Sequence, residues 1–318
     1  MLAIVYDGEA RLRTDVRKPR VSRGEALVAV RLGGICSTDL EILRGYMGFE
    51  GVMGHEFVGV VEAGPSQWMG KRVVGEINCV CGRCDMCRSG LSNHCRKRTV
   101  LGIDGRAGCF AEYVAVPTRN LHQVPAGVTD LQAVFAEPLA AALQVLRQVK
   151  LDASAKAVVL GDGRLGQLVA RAIKSRAGRP VLVGKHRSKL EAAEKQGIQT
   201  VALEEFNPAA DADVVIEATG DPAGLELAMR AVRPRGTIVL KSTYAGEKGI
   251  NLTPLVINEV TVVGSRCGPF PEALKALGDN EVDISALVSR RFPLSEGLDA
   301  LKAARRRDVI KVIIEVSN

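Results

Sequence analysis

Four cysteines between residues 81 and 95 have the spacing of a metal site. The segment CVCGRCDMCRSGLSNHC places them in the pattern C-x2-C-x2-C-x7-C: Cys81, Cys84, Cys87 and Cys95. Thiolates at such short spacing can enclose one tetrahedral zinc ion, and four of them leave no position open for a substrate. An iron–sulfur cluster is the alternative, but ferredoxin-type runs continue with x3-C-P. The pattern predicts a structural metal site, with Cys79 as a spare thiol.

A second, mixed set of metal-binding side chains is scattered along the first half of the chain. It comprises Cys36 in GGICSTDLEI, His55 and Glu56 in VMGHEFVGVVEAG, and Glu137 in AEPLAAAL. One thiolate, one imidazole and one carboxylate leave a fourth position for water or substrate, as in catalytic zinc sites. Taken singly, these residues have ordinary structural interpretations: a buried thiol, a capped imidazole, a surface carboxylate. Taken together with the cysteine cluster, they predict a catalytic zinc site.

The segment VVLGDGRLGQLVA contains a glycine-rich turn of the pattern G-x-G-x-x-G. Gly161, Gly163 and Gly166 stand between an apolar strand and a helix, with Arg164 and Leu165 between the last two glycines. The first glycine permits a tight turn and the second lets the backbone approach a pyrophosphate. The third lets the helix pack close to the strand. An ordinary βα turn is the alternative, but the context predicts dinucleotide binding.

The next strand, PVLVGKHRSKL, lacks the acid that an NAD site carries at this point. Gly184 stands there, followed by Lys185, His186 and Arg187. Two fixed cations could pair with a 2′-phosphate dianion. We therefore expect a preference for NADP over NAD, the alternative being that both cations merely face water.

The apolar patterns predict two kinds of architecture along the chain. The first 130 or so residues carry short runs such as EALVAVRLGG, EFVGVVEAG, KRVVGEI and AEYVAVP, which are typical of a closed or nearly closed β-barrel. The pattern becomes helical at Asp130, in a stretch interrupted by Pro138. From residue 156 apolar strands alternate with helices, which predicts a doubly wound parallel sheet. The last stretch predicts two helices and a final strand that returns to the first module.

Composition sets few limits on function. The chain has 318 residues, which favours two domains, and a formal net charge of +7. Aromatic residues make up only 4%, so the basic runs are interpreted as solvated surface rather than as a nucleic-acid interface. The first residues do not have the order of a signal peptide, and no apolar run approaches the roughly 18 residues of a membrane span. We expect a cytoplasmic protein, in which clustered cysteines hold metal.

The motifs GICSTD, GHEFVGVVE, CGRCDMCRSGLSNHC, AEPLA and GDGRLG, in this order, resemble those of the zinc-containing medium-chain dehydrogenases. This family includes alcohol, sorbitol, glucose and threonine dehydrogenases, and the resemblance spans nearly the whole chain. It implies an α/β protein with a GroES-like β-barrel catalytic domain, at residues 1–138 and 268–318, with a structural-zinc lobe near residues 79–96. It also implies a Rossmann cofactor domain at residues 139–267, with the active site in the cleft between the domains.

Residue by residue, the resemblance implies that Cys36 and His55 bind a catalytic zinc ion and that the four clustered cysteines bind a structural one. Glu137 replaces the cysteine of liver-type alcohol dehydrogenases. In the sorbitol and glucose branch a residue like Glu56 can coordinate as well, so either carboxylate is a candidate third ligand.

Three further residues near Cys36 acquire roles by the same resemblance. Asp39 corresponds to the acid that orients the zinc-bound imidazole, and Thr38 to the hydroxyl that receives the substrate proton. Many relatives have a histidine five residues after the zinc cysteine, where this chain has Glu41. The proton path through that imidazole is therefore in question, and Glu41 or a water could serve instead.

The resemblance also predicts the nicotinamide side of the cofactor site and the reaction. Turns after the later strands should line it, with Thr219, Ser242, Thr243, Ser265 and Arg266 as candidates. The expected reaction interconverts an alcohol and a carbonyl by hydride transfer, the substrate being a polyol, a sugar or a secondary alcohol. Amino-alcohols such as threonine remain open. In relatives the last strand of this sheet pairs with its copy across a two-fold axis. With TVVGSR as that strand, the resemblance implies a homodimer or homotetramer.

Two other classes compete with the dehydrogenase. One is a zinc-independent enone or quinone reductase on the same scaffold, and the other is a non-enzymatic NADPH-binding protein. Neither needs zinc at Cys36 and His55. About two zinc ions per chain would favour the dehydrogenase, and one would favour either alternative.

Overall fold

The computed structural model of the chain describes residues 1–176, 178–243 and 249–316. The chain divides into two compact units, one formed by Met1–Glu137 and the C-terminal stretch from Val288, the other by Pro138–Leu287. Residues 268–287 are therefore grouped with the second unit, whereas the sequence assigned them to the first. No helix within the described residues is long and apolar enough to cross a membrane.

The strands, numbered along the chain, are β1 Ala3–Tyr6, β2 Ala10–Arg13, β3 Glu25–Gly34, β4 Gly51–Val52, β5 Glu56–Ala63, β6 Arg72–Gly75, β7 Asn78–Cys79, β8 Thr99–Leu101, β9 Gly105–Arg106, β10 Tyr113–Pro117, β11 Leu121–Gln123, β12 Ala157–Leu160, β13 Val181–Gly184, β14 Gln199–Ala202, β15 Ala212–Glu217, β16 Val232–Leu240, β17 Thr261–Gly264, β18 Val288–Pro293 and β19 Lys311–Glu315.

The α-helices are α1 Ser37–Ile42, α2 Asp85–Arg88, α3 Asp130–Ala133, α4 Ala136–Gln148, α5 Arg164–Arg176, α6 Arg187–Glu194, α7 Pro222–Ala231, α8 Thr253–Ile257, α9 Phe270–Gly278 and α10 Gly297–Ala303.

Strand β3 organises the first unit because it pairs with three other strands. Along one edge it runs antiparallel to β5 over most of its length. Residues 25–29 of β3 pair with β10, and residues 32–34 pair with β19 from the far end of the chain. The resulting sheet has seven strands, and its inward side chains, such as Val28, Val30 and Val58, are fully buried. The all-β character predicted for this half of the chain is confirmed.

A small three-stranded sheet, β7-β8-β9, carries the cysteine-rich segment. The buried side chain of Asn120 joins it to the main sheet by donating hydrogen bonds to the carbonyl oxygens of Glu76 and Asn78, each at 2.8 Å. The lobe is thus attached to the main sheet through backbone carbonyl groups.

The second unit is built on a six-stranded parallel sheet. Its order is β14-β13-β12-β15-β16-β17, so the first strand in sequence lies in the middle and the chain winds outwards in both directions. This is the Rossmann order, and it confirms the predicted fold class. The central strands are buried on both faces, since residues 157–160 are at most 3% exposed. The short, half-exposed β14 was not predicted, because its sequence QTVA offers only a weak apolar pattern.

The C-terminal strand returns to the first unit, as predicted. Strand β19 pairs with β3 on one side and with β18 on the other. Strand β18 was not predicted, since its sequence VSRRFP is largely exposed and carries two arginines.

Pro138 does not interrupt a helix, and this part of the prediction is wrong. The break lies earlier, between α3 and α4, and α4 begins at Ala136. Pro138 is therefore in the first turn of α4, where the missing N–H would have no intrahelical acceptor in any case.

Each of the three glycines in the turn between β12 and α5 has a different structural environment. Gly161 has φ +112°, and a Cβ there would lie 2.5 Å from the carbonyl oxygen of Ala218. A Cβ on Gly166 would lie 1.9 Å from the carbonyl oxygen of Gly161. A Cβ on Gly163 would meet nothing within 4 Å. The first and third glycines thus serve the fold, whereas the second leaves open space at the helix N-terminus.

Replacing Gly166 by alanine should therefore destabilise the protein, whereas Gly163→Ala should not. Forcing a methyl group against the turn costs about 2–3 kcal/mol, which corresponds to a fall of about 5 °C in the melting temperature of the second unit. Differential scanning calorimetry of both variants measures this difference. Equal melting temperatures for the two variants would contradict the packing role assigned to Gly166.

Candidate active site and metal centres

The pairing of β3 with β5 brings the mixed metal ligands together. Gly34, the last residue of β3, is in register with Glu56, the first residue of β5. Cys36 follows the end of β3, and His55 directly precedes β5. Residues 19 positions apart in sequence thus meet at one corner of the sheet, because antiparallel strands bring the end of one to the start of the other.

The ligand atoms of Cys36, His55 and Glu56 lie within 4.8 Å of one another. His55 and Glu56 are buried, at 2% and 1% exposure, while Cys36 is only partly covered. Glu137, in the first turn of α4, does not belong to this group. Between the two carboxylates that the sequence offered, the geometry of the first unit favours Glu56.

Asp39 lies behind this cluster and contacts two of its residues, Cys36 and His55. It is fully buried and sits in the first turn of α1, for which Cys36 is the N-cap. Its Oδ2 atom accepts a hydrogen bond from the backbone N–H of Cys36 at 2.7 Å, and its Oδ1 atom lies 3.2 Å from Nδ1 of His55. One carboxylate therefore fixes the backbone of one ligand and the ring of another, which leaves Nε2 of His55 for the cluster.

The charges around His55 determine its protonation. Burial by itself would lower the imidazole pKa, but the negative charge of Asp39 and its contact with the ring, followed by Cys36, raise this pKa well above its usual value. The surroundings of the ring therefore favour a positive charge at this point.

Lys311 is a member of the site that sequence reasoning missed. Its ammonium group is 1% exposed, pairs with the Glu56 carboxylate and donates to the carbonyl oxygen of Ile35 at 3.2 Å. It also lies 5.7 Å from the ring centroid of Phe135. A Cβ on Gly34 would come within 2.5 Å of the carboxylate of Glu56 and 2.9 Å of Nζ of Lys311, so this glycine makes room for the pair.

No local signal in the sequence connects Lys311 with Glu56. Removing one partner of a buried ion pair costs about 3–5 kcal/mol, because the other charge is left without compensation.

The donor set fits a zinc ion. A thiol, an imidazole nitrogen and a carboxylate are all zinc ligands, and three of them leave a position open. The buried Asp39 next to His55 supplies the partner that metal-bound imidazoles usually have.

Thr38 and Glu41 lie on α1 beside this cluster but in different surroundings. The hydroxyl of Thr38 lies 3.7 Å from Sγ of Cys36. The carboxylate of Glu41 forms an ion pair with Arg44 at 2.7 Å. Thr38 is therefore adjacent to the ligand set, whereas Glu41 already has a cationic partner just after the end of its helix.

The four lobe cysteines also converge. Their Sγ atoms lie within 4.8 Å of one another, and three neighbouring pairs, Cys84–Cys87, Cys95–Cys81 and Cys84–Cys95, are separated by 3.5, 3.5 and 3.8 Å. A tetrahedron with Zn–S bonds of about 2.3 Å has edges of about 3.8 Å. The described cysteines form no disulfide. The arrangement fits a four-thiolate zinc site, and Cys79 stands outside it.

Backbone amides around the lobe stabilise thiolate charge. N–H groups of Cys87 and Arg96 lower the pKa of Cys84 to about 6. The amide N–H groups of Cys81 and Lys97 both point to Sγ of Cys95, each at 3.4 Å. Arg96 forms a bidentate ion pair with Asp85 at 2.7 and 2.8 Å, which connects the start of α2 with the residue after Cys95.

In the second unit the glycine turn has the form expected of a dinucleotide site. Arg164 and Leu165 open the 13-residue helix α5, whose N-terminus can receive an anion. The neighbouring strand β13 ends at Gly184. Of the cations that follow, Lys185 is exposed, while Arg187 is paired with Glu191 at 3.3 Å and with Glu194 at 3.0 Å.

The residues expected on the nicotinamide side lie in turns after β15, β16 and β17. Glu217, which is 2% exposed, accepts hydrogen bonds from the hydroxyl groups of Thr219 at 2.6 Å and Ser242 at 3.0 Å. Lys241 lies 3.2 Å from the hydroxyl of Ser265 and donates to the carbonyl oxygen of Arg266 at 2.9 Å. Thr243 is exposed. Glu217 and Lys241 thus hold these turns together. Lys241 belongs to one of the turns predicted to line the nicotinamide side, whereas Glu217 was not among the predicted site residues.

Comparison with known proteins agrees with both halves of this description. Residues 22–126 match the family model of the alcohol dehydrogenase GroES-like domain. Residues 165–280 match that of the zinc-binding dehydrogenases.

Relatives of known activity cover most of the chain. The chain is 31% identical to 2-dehydro-3-deoxy-L-galactonate 5-dehydrogenase from Pseudoalteromonas atlantica over 86% of both proteins. It is 29% identical to sorbitol dehydrogenase from Halalkalibacterium halodurans over 93% of both. A zinc-binding dehydrogenase from Sinorhizobium meliloti, solved with bound NADP, superimposes with a TM-score of 0.90 at 29% identity, covering 99% of this chain and 98% of that one. This chain is therefore a member of the zinc-containing medium-chain dehydrogenase/reductase superfamily.

Proposed function

We propose that this protein is a zinc-dependent dehydrogenase that interconverts a polyol, sugar or other secondary alcohol and the corresponding carbonyl compound, with NADP(H) as the preferred cofactor. The observation that carries this proposal is the convergence of Cys36, His55 and Glu56, whose ligand atoms lie within 4.8 Å of one another, with Asp39 behind the imidazole. Relatives named as sorbitol, L-threonine and 2-dehydro-3-deoxy-L-galactonate 5-dehydrogenases support the reaction class.

The proposed ligands of the catalytic zinc are Cys36, His55 and Glu56, with Glu137 as the alternative carboxylate. When bound, such a zinc ion supplies Lewis-acid polarisation of an oxygen atom. Asp39 keeps the His55 ring in the orientation that presents Nε2, and Lys311 fixes the direction of the Glu56 carboxylate. The hydroxyl of Thr38, beside Cys36, accepts the alcohol proton and passes it on. Glu41 is the candidate for a later position on this path.

Cofactor binding is assigned to the second unit. We place the pyrophosphate over the turn from Gly161 to Gly166, where the open space at Gly163 allows the backbone to approach it. The adenosine ribose lies towards Gly184, Lys185 and His186. The nicotinamide, which supplies the hydride chemistry, lies towards Thr219, Ser242 and Ser265.

The proposed zinc content is two ions per chain, one in each cysteine-containing site. The four lobe cysteines would fill all four coordination positions of a zinc ion and leave none for a substrate, so this site has a structural role. Thiols that hold metal need a reducing compartment, which supports a cytoplasmic location.

We further propose a homodimer formed through the edge of the Rossmann sheet. Strand β17 lies at that edge, and Val262 on it is 40% exposed. Next to it in sequence, α8 exposes Val256 at 77% and Ile257 at 73%. An apolar, unprotected edge is a liability in a monomer, and pairing with a second copy across a two-fold axis would cover it.

The reaction is tested with a panel of polyols, sugars, simple alcohols and aldehydes, followed by NADPH absorbance, together with zinc analysis by mass spectrometry. The purified protein should contain about two zinc ions per chain. Cys36→Ser should retain about one and lose at least about 100-fold in turnover, since one ligand of the open site is gone. The control Cys79→Ala should keep both ions. Undiminished turnover of zinc-depleted Cys36→Ser would overturn the proposal.

Cofactor preference is tested by comparing Michaelis constants. The KM for NADP should be about tenfold below that for NAD, because the ammonium group of Lys185 is free to pair with a 2′-phosphate. Lys185→Met should raise the KM for NADP several-fold and leave that for NAD nearly unchanged. A lower KM for NAD in the unmodified enzyme would refute the preference.

Assembly is tested by size-exclusion chromatography with light scattering. The mass should be a multiple of the 33.9 kDa chain, and the double variant Val262→Glu/Ile257→Glu should shift it towards one chain, because charges on the edge oppose pairing. Met69→Glu, an exposed apolar position elsewhere, is the control and should leave the mass unchanged. A monomeric unmodified protein contradicts the proposal.

A further inference from the structure

The carboxylate that is missing from the end of β13 has a counterpart in the glycine turn. Asp162 stands between Gly161 and Gly163 and is 6% exposed. Strands β12 and β13 are parallel neighbours, with Leu160 in register with Val183, and the N–H of Gly161 donates to the carbonyl oxygen of Val183 at 2.8 Å. The turn that contains Asp162 and the end of β13 therefore lie side by side at the same edge of the sheet.

The side chain of Asp162 occupies the space that a side chain at position 184 would take. A Cβ built on Gly184 would lie 2.5 Å from Cβ and 2.6 Å from Oδ2 of Asp162. An acid at 184 and the observed acid at 162 are thus mutually exclusive. In dinucleotide sites the acid at the end of this strand is the group that accepts hydrogen bonds from the adenosine ribose, and Asp162 brings a carboxylate to the same place from the adjacent turn.

Asp162 is held firmly in this position. Its Oδ2 atom accepts a hydrogen bond from the backbone N–H of His186 at 2.7 Å and lies 3.0 Å from Nδ1 of the same residue. Beneath it, the fully buried amide of Gln167 donates to the carbonyl oxygens of Lys189 at 2.7 Å and Asp162 at 3.5 Å. Arg171 in turn donates to the side chain of Gln167 and to the carbonyl oxygen of Ala192 at 2.9 Å. This buried network connects the glycine turn with the segment after β13.

The surrounding cations do not neutralise this carboxylate fully. Arg187 is engaged by Glu191 and Glu194, and Lys185 is exposed to solvent. Its nearest side-chain partner is the imidazole of His186, with Nδ1 3.0 Å from Oδ2. A carboxylate in this position can accept a hydrogen bond from a ribose 2′-hydroxyl, whereas it repels a 2′-phosphate dianion at short range.

We propose that Asp162 is a specificity-determining residue for the cofactor: it takes over the ribose-recognising role of the acid absent from position 184 and opposes the attraction of Lys185 for a 2′-phosphate. This inference rests on the proposed function of the second unit as a dinucleotide site. It implies that the enzyme accepts both cofactors, with a preference set by two opposing charges.

The test compares binding of 2′,5′-ADP and 5′-AMP, which differ only in the 2′-phosphate, by isothermal titration calorimetry with the full-length protein. Asp162→Asn keeps the size and an acceptor oxygen for the N–H of His186 but removes the charge. It should strengthen binding of 2′,5′-ADP relative to 5′-AMP about tenfold, equivalent to about 1.4 kcal/mol. The same shift should appear in the ratio of kcat/KM for NADP to that for NAD.

Asp162→Ser, which removes the charge with a smaller side chain, should shift the ratio in the same direction. The control Asp152→Asn removes a carboxylate before the opposite end of β12 and should leave the ratio unchanged. An unchanged or lowered ratio in folded Asp162→Asn or Asp162→Ser overturns the inference.

The swapped variant Asp162→Gly/Gly184→Asp returns the carboxylate to the strand end. It should discriminate against the 2′-phosphate at least as strongly as the unmodified protein, and a ratio like that of Asp162→Asn would overturn the replacement argument. Whether the unmodified enzyme prefers NADP or NAD tests the cofactor proposal separately. The change in the ratio of 2′,5′-ADP to 5′-AMP binding caused by Asp162→Asn is expected whichever cofactor the unmodified enzyme prefers.

Discussion

The candidate active site depends on an imbalance of buried charge. Asp39, Glu56 and the thiol of Cys36 lie around His55 in a region where water has little access, and Lys311 is the buried ammonium group that faces them. Burying carboxylates is unfavourable unless cations or hydrogen-bond donors compensate them. Lys311 pairs with Glu56, the backbone of Cys36 satisfies one oxygen of Asp39, and the remaining negative potential is directed at the ring of His55. A divalent cation at the open position would complete this compensation.

The two units solve their positioning problems differently. In the first, functional side chains come from the ends of three strands, β3, β5 and β19, so their relative position follows from strand register. In the second, the candidate side chains come from turns after parallel strands. The buried Glu217 joins two of these turns through Thr219 and Ser242, and the buried Gln167 joins the glycine turn to α6. A shift of register would dismantle the first site, whereas loss of a single buried hydrogen bond would loosen one turn of the second.

The sequence alone predicted the features that are local. The cysteine spacing, the glycine turn and the alternation of strands and helices all lie within short segments, and the structure brings the corresponding residues together. Prediction from the sequence failed where two contacting residues are distant in the chain or where the local apolar pattern is weak. Lys311 and Glu56 are 255 positions apart, and nothing near Lys311 marks it as buried. Strands β14 and β18 carry too few buried side chains to be recognised. Pro138 suggests a helix break when the helix start is not known, whereas in the first turn of α4 a proline is tolerated.

The carboxylates illustrate the same limit. Glu56 and Glu137 could not be ranked from the sequence, and only the register of β3 and β5 favours Glu56. The glycine motif does not specify the residue at position 162, and the proximity of Asp162 to Gly184 follows only from the pairing of β12 with β13.

The late position of β19 in the chain has a consequence for biosynthesis. Strand β3 lies before the second unit in the chain, whereas β19, which pairs with β3 and carries the ammonium partner of Glu56, lies after that unit and is therefore synthesised later. The interposed second unit, whose six strands are contiguous in sequence, can complete its sheet while the first still waits for its closing strand. The nascent chain can therefore complete the sheet of its second unit before Lys311 reaches Glu56, and until β19 is synthesised the carboxylate of Glu56 lacks its buried ammonium partner.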